Sequence, residues 1–215
     1  MTTRVHLIRH GVTESNRQRR YMGRSDEGLS SEGRRQVRQL ALRGATLDIE
    51  AVYSSPLRRA RDTAEIVGQP YHLRPELAAD FTELDLSRWE GLTANQIEAR
   101  DGEAWQTWCA DPARLQLPGI EPFTVLQQRV RRGIEGLLRQ HAGGTIAVVT
   151  HDGIVRMAVL ECLGISLSLY RAMPIDNTGL TTLDFAPERT YLRRLNDIGH
   201  LREHTHLAAA GPADR

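Results

Sequence analysis

Two apolar rhythms alternate along the chain. Val5-His6-Leu7-Ile8, Ala51-Val52-Tyr53-Ser54 and Thr145-Ile146-Ala147-Val148-Val149-Thr150 are short, nearly continuous apolar runs, each reading as a buried strand. Between them apolar residues recur at helical spacing: Val37, Leu40 and Ala41 behind Ser30 and Ser31; Leu57, Ala60, Ala64 and Val67 behind Ser55-Pro56; and Phe123, Leu126, Val130, Ile134, Leu137 and Leu138 from Pro122 onward. Strands that alternate with helices predict an α/β fold, a largely parallel sheet flanked by helices. The punctuation agrees: Pro56 suits a first helical position, Gly44 and Gly143-Gly144 suit helix ends, and Thr93-Ala94-Asn95-Gln96 is a capping box. A short strand is expected around residues 71–73, a helix over 154–163, and an antiparallel hairpin from 180–185 and 190–195 about Ala186-Pro187-Glu188-Arg189. Residues 80–120, irregular at first and proline-rich at the end, read as a helical lid inserted across the sheet's carboxyl edge, with Trp105 and Trp108 as packing residues. One domain is expected over residues 1–205, followed by a tail over 206–215.

Composition narrows the chemistry. A formal net charge of +1 on 215 residues gives no reason to expect nucleic acid or an anionic membrane surface as a partner. The most apolar run, Ile146 to Leu169, is interrupted by His151, Asp152, Arg156 and Glu161, so no membrane span is expected, and no signal peptide is read at the start. Cys109 and Cys162 are too few for a disulfide framework, which makes the cytoplasm the expected compartment. All 28 basic residues are arginine, so Schiff-base lysine chemistry and a phosphate-cradling P-loop lysine are excluded. Any anion pocket must be made of arginine, histidine and backbone amides.

The candidate chemistry sits where strands end. Arg9-His10-Gly11 follows the first strand and His151-Asp152-Gly153 follows the 145–150 strand, the end at which open parallel sheets collect ligands. Arg58, Arg59 and Arg61 crowd a helix start, where cations oppose the macrodipole unless an anion is held there; spacing alone leaves open which of them turns inward. Arg17, Arg19, Arg20 and Arg24 form either a solvated loop face or a rim for an anionic substrate. Asp152 reads as a helix cap, Cys162 as core, and His200, His204 and His206 as an exposed histidine-rich tail rather than a metal site.

Taken together these stretches resemble the histidine phosphatase (phosphoglycerate mutase-like) superfamily, in its small cytoplasmic phosphatase branch. The resemblance rests on Leu7-Ile8-Arg9-His10-Gly11-Val12-Thr13-Glu14-Ser15-Asn16, Gly28-Leu29-Ser30-Ser31-Glu32-Gly33, Ser54-Ser55-Pro56-Leu57-Arg58-Arg59-Ala60-Arg61, Glu83-Leu84-Asp85 with Trp89-Glu90-Gly91, and Thr150-His151-Asp152-Gly153. It implies a phosphohistidine at His10, with Glu83 as the acid and His151 as the second histidine. Arg9, Arg59, Asn16 and the backbone near Gly11 and Gly23 would hold the phosphoryl group, and a protonated His151 would share its charge. The implied reaction is metal- and cofactor-independent hydrolysis of a small phosphorylated metabolite. A phosphoglycerate mutase and a non-catalytic phosphate-binding module are the alternatives. The short segment after Gly91 argues against the mutase, and the intact residue set against the binding module. Asp152, in place of a usual glycine, and Gly119-Ile120-Glu121, in place of Gly-Gly-Glu, depart from the family pattern at the expected pocket rim. The C-terminal hairpin offers an edge through which a homodimer could pair.

Overall fold

The structure, a computed structural model, describes residues 1–201. Its centre is a six-stranded sheet in the order β3-β2-β4-β1-β5-β6, built from β1 (Thr3–Arg9), β2 (Ala51–Ser54), β3 (Glu76–Leu77), β4 (Thr145–Thr150), β5 (Leu180–Phe185) and β6 (Thr190–Asp197). The first four run parallel, while β5 and β6 form the expected antiparallel hairpin beside β1. Side-chain alternation sorts the apolar residues onto two faces. Val5, Leu7, Ile146 and Val148 pack with Leu126, Val130 and Val155 of α5 (Phe123–Gln140) and α6 (Asp152–Leu163). Ile8, Ala147 and Val149 pack with Val37, Leu40, Ala60 and Ala64 of α2 (Ser31–Gly44) and α3 (Arg58–Gly68).

Within residues 80–120 the one long helix is α4 (Ala94–Ala110). Edge-to-face contacts tie it down: Trp89 to Trp105 and Trp108 (6.1 and 5.6 Å), Trp108 to Phe123 (6.1 Å), and Phe123 to Tyr170 (4.7 Å). The Asp101 carboxylate, at a kink in α4, accepts hydrogen bonds from Arg88, Arg100 and the Trp89 indole, joining the helix to the loop before it.

Several local expectations are corrected. No strand forms at 71–73: Pro70 lies in a 3-10 turn over Gln69–Tyr71, His72 takes a left-handed conformation, and the edge strand waits until Glu76. A four-residue helix, α1 (Glu14–Arg17), forms at the end of the first motif, closed by reciprocal capping between Thr13 and Asn16. Helix α3 starts at Arg58 rather than Pro56, and the anion at its N-terminus is internal, since Asp26 Oδ1 accepts the Arg58 amide at 2.6 Å. Asp152 does not cap α6. His151 occupies that position without a side-chain bond, and Asp152 reaches instead toward Arg156, 2.7 Å away. His200 is part of the fold rather than of a tail, its Nε2 lying 2.9 Å from Thr178 Oγ1. His204, His206 and the expected 206–215 tail lie outside the described residues.

Candidate active site

The register of three strands brings the site together. Arg9 of β1 is level with Thr150 of β4, and Ser54 of β2 is level with Val149. The next residue along each strand, His10, Ser55 or His151, therefore emerges at one point on the carboxyl edge. The His10 and His151 rings stand 5.2 Å apart at 60°. Arg9, His10, Asn16, Arg59, Glu83 and Gly153 all line one cavity of about 230 Å³, to which Leu84, Leu86 and Trp108 from the 80–120 stretch also contribute.

Each ring has a fixed orientation. His10 Nδ1 lies 2.8 Å from the Gly11 carbonyl, which only accepts, so that nitrogen carries the proton and Nε2 keeps its lone pair. Burial and the nearby Arg59 and Arg9 charges hold His10 well below the ordinary histidine range, leaving a neutral imidazole. The Ser55 hydroxyl already accepts the Leu57 amide and sits 2.7 Å from His151 Nε2, so we assign its hydrogen to that nitrogen and the ring proton to Nδ1. Burial, Arg59 and His10 push His151 down as well. These surroundings favour a neutral His151, and the protonated form expected from the resemblance requires the charge of a bound anion.

Arg59 is the arginine that turns inward. It is 1% exposed, and its two terminal nitrogens donate to the carbonyls of Gly23 and Ser25 at 2.7 Å each. Gly23 consequently stands behind Arg59 and not in the cavity wall: its amide, the group expected to meet phosphate, donates to Glu90 Oε1 at 3.0 Å. The Gly11 amide is likewise engaged, by Thr63 Oγ1. Asn16 Oδ1 accepts from the Thr13 amide and from Asn177, which leaves its NH2 as the group it can offer to the cavity. Among the described residues, the buried Arg9 Nε, Arg59 Nε and His151 Nδ1 have no hydrogen-bond partner. Unpaired buried donors are costly, and those of Arg9 and Arg59 on the cavity, with His151 packed against His10, call for an acceptor with several oxygens.

Glu83 faces this cluster. Burial first, and the Asp152 charge second, raise its carboxyl to about 7, against the Leu84 amide and the Arg59 and Arg9 charges, which lower it. Its backbone is clamped by Arg129, whose nitrogens donate to the carbonyls of Asp80, Thr82 and Glu83 and bidentately to Glu121 at 2.7 and 2.8 Å. Glu121 therefore acts as the anchor of the Glu83 loop. The neighbouring Ile120, expected at the rim, is buried in the core. Ser55, Thr63, Arg129, Tyr170 and Asn177, which donates to the His10 carbonyl at 3.0 Å, were not found by sequence reasoning. Only Ser55, adjoining a strand end in the second motif, carried a signal that could have marked it.

Residues 5–198 match the profile of the Histidine phosphatase superfamily (branch 1). The chain belongs to this superfamily. Its fold is phosphoglycerate mutase-like, as the resemblance implied. It is 36% identical over 204 residues to the bifunctional protein Rv2228c of Mycobacterium tuberculosis, covering 93% of this chain and 55% of that protein, so it spans about half the length of that relative. It is 27% identical to phosphoserine phosphatase 1 of Hydrogenobacter thermophilus, covering 92% of this chain and 93% of the relative. The solved structure of Bacillus stearothermophilus YhfR superposes with a TM-score of 0.88 at 26% identity, covering 93% of this histidine phosphatase and all of that chain. No described helix is long and apolar enough to cross a membrane.

Proposed function

We propose that this histidine phosphatase hydrolyses a small phosphomonoester through a phosphohistidine at His10, without a metal or cofactor, in the cytoplasm. The observation that carries the reading is the neutral His10 imidazole, its Nε2 left free, 5.2 Å from the His151 ring on a cavity lined by Arg9 and Arg59. Arg9, Arg59 and His151 take the phosphoryl oxygens, with Asn16 beside them, and a phosphoryl dianion raises His151 so that it gains its proton on binding. Nε2 forms the N–P bond in line as the P–O bond to the leaving group breaks, and neutral Glu83 protonates the departing oxygen. The Glu83 carboxylate then takes a proton from water as that water attacks phosphorus; the N–P bond breaks, phosphate leaves, and Glu83 is protonated again. The unpaired Cys109 and Cys162 support the cytoplasmic placement.

The test is release of inorganic phosphate from p-nitrophenyl phosphate and a panel of alkyl monoesters by purified protein in excess chelator. Turnover of none of them, or loss of most activity to the chelator, overturns the reading.

Gly153 offers a milder probe of the Glu83 placement. A Cβ there would stand 2.6 Å from Glu83 Oε1 and 2.7 Å from the Tyr170 hydroxyl, closer than packed atoms allow. Gly153→Ala must displace the carboxyl group, and the expected loss in kcat is roughly 10- to 100-fold. Steady-state assay checks it, with a melting curve to show that the fold persists.

A further inference from the structure

Beyond the residues that meet the phosphoryl group, the cavity wall carries arginines that the proposed chemistry leaves unused. Arg19, Arg20 and Arg171 line it, and among the described residues none of them has a carboxylate within ion-pairing distance. Their neighbours show the contrast. Arg17 pairs with Glu14 at 3.1 Å and Arg24 with Glu121 at 3.2 Å, so the arginine-rich loop divides into paired members and members that face the cavity. The two acids in the wall do not neutralise this group, because Asp152 is taken by Arg156 and Glu83 is held largely protonated below about pH 7.

Arg20 and Arg171 are held by side-chain contacts, and Arg19 by its backbone. Arg20 Nη1 donates to the Gly91 carbonyl at 2.7 Å and its Nε to Gln18 Oε1 at 2.8 Å, leaving the other terminal nitrogen uncommitted. The Arg171 guanidinium lies 5.9 Å from both the Trp105 and Trp108 ring centroids, and Trp108 is itself part of the wall. Arg19 follows α1 in a left-handed conformation, φ 54°, a position at a helix end where glycine is usual. An arginine kept there at a backbone cost has its side chain in the cavity wall.

We infer that the substrate of this site carries a second anionic group, a carboxylate or a phosphate, on its leaving-group side, and that Arg19, Arg20 and Arg171 receive it. The inference rests on the phosphatase reading above. A phosphoryl dianion occupies Arg9, Arg59 and His151 in that reading, so a monoester with a neutral leaving group would leave three cations of the cavity wall without a counter-charge. A second anion at the outer end supplies it, and the exposed Arg19 and Arg171 mark that end as the open one.

The test compares kcat/KM for four esters of one shape: 4-carbamoylphenyl phosphate, 4-carboxyphenyl phosphate, 1,4-phenylene bisphosphate and 4-(trimethylammonio)phenyl phosphate. The natural chain is expected to favour an anionic ester over the carbamoyl isostere by about tenfold or more, to disfavour the cationic one, and to lose most of the preference in concentrated salt. Which anionic ester leads identifies the group as carboxylate or phosphate. In an Arg19→Gln/Arg171→Gln double variant the anionic-to-carbamoyl ratio is expected to fall to within about threefold of unity, as removing two charge-assisted contacts requires. Equal turnover of all four esters by the natural chain, or a preference that survives in the double variant, overturns the inference while the phosphatase reading stands. Turnover of none overturns both.

Discussion

His10→Ala is expected to lose at least ~10⁴-fold in kcat and all capacity to form an acid-labile phosphoenzyme, as removal of a nucleophile does. The size follows from what the site does for that ring. Burial first, then the Arg59 and Arg9 charges, keep it unprotonated, and the Gly11 carbonyl holds Nδ1, so that Nε2 is left as a strong nucleophile on the cavity. Nothing nearby replaces it: His151 Nε2 is turned toward Ser55, no cysteine lines the wall, and the chain has no lysine to take over. Arg9, Arg59 and Asn16 remain in the variant, so phosphate should still bind, weakly changed. Rapid quench with a ³²P-labelled monoester reads the intermediate, and phosphate titration reads the binding. A variant that still becomes labelled, or keeps kcat within about tenfold, would remove His10 from the reaction.

The parts of this site that could be read from the sequence are those fixed by local periodicity. A continuous apolar run such as residues 145–150 is buried on both faces, and parallel strands then deliver their next residues to a common edge. His10 and His151 were legible for that reason, and Gly11 and Gly153 marked the turns. The choice of Arg59 over Arg58 and Arg61 needed the family pattern, since the three differ only in which way a helix rotates; in the structure Asp26 holds the outer side of that turn. The hidden parts depend on contacts across long stretches of chain. Asn177 reaches the carbonyl of His10 from 167 residues away, and Arg129 meets the Glu83 loop from 46 away. Neither belongs to a spacing or a cap, and each looked like an ordinary polar residue on a loop or helix. Gly23 misled in an instructive way. It does lie beside Arg59, but Glu90 takes the amide and the carbonyl supports Arg59 instead. The buried Glu121–Arg129 pair shows why acids in the irregular stretch could not be sorted by sequence: an isolated pair in the interior is costly unless its remaining donors are satisfied, and here three backbone carbonyls satisfy them.

Glu83→Gln separates chemistry from stability, and the two effects run in opposite directions. Glutamine can still accept the Leu84 amide that Glu83 Oε1 accepts at 2.8 Å, but it can neither donate an acidic proton nor remove one. With an alkyl phosphate, whose leaving oxygen needs that proton, kcat is expected to fall ~10²- to 10⁴-fold. With p-nitrophenyl phosphate the first step needs little help, so the variant should release one p-nitrophenol per site in a burst and then stall as phosphohistidine. Stability moves the other way. The Glu83 carboxyl is raised from 4.5 to about 7 by burial and by Asp152, so the folded protein binds more protons than the unfolded chain between those values. Folding stability that depends on the neutral acid is therefore complete below pH 4.5, declines as pH rises through that window, and is lost above about 7. The difference amounts to on the order of 3 kcal/mol, a loss the glutamine variant does not suffer because its amide never ionises. Denaturant melts of both proteins from pH 4 to 8 should accordingly diverge in favour of the variant as pH rises. Parallel profiles across that range, or an unchanged alkyl-phosphate kcat, would show that Glu83 ionises normally and that another group moves the proton.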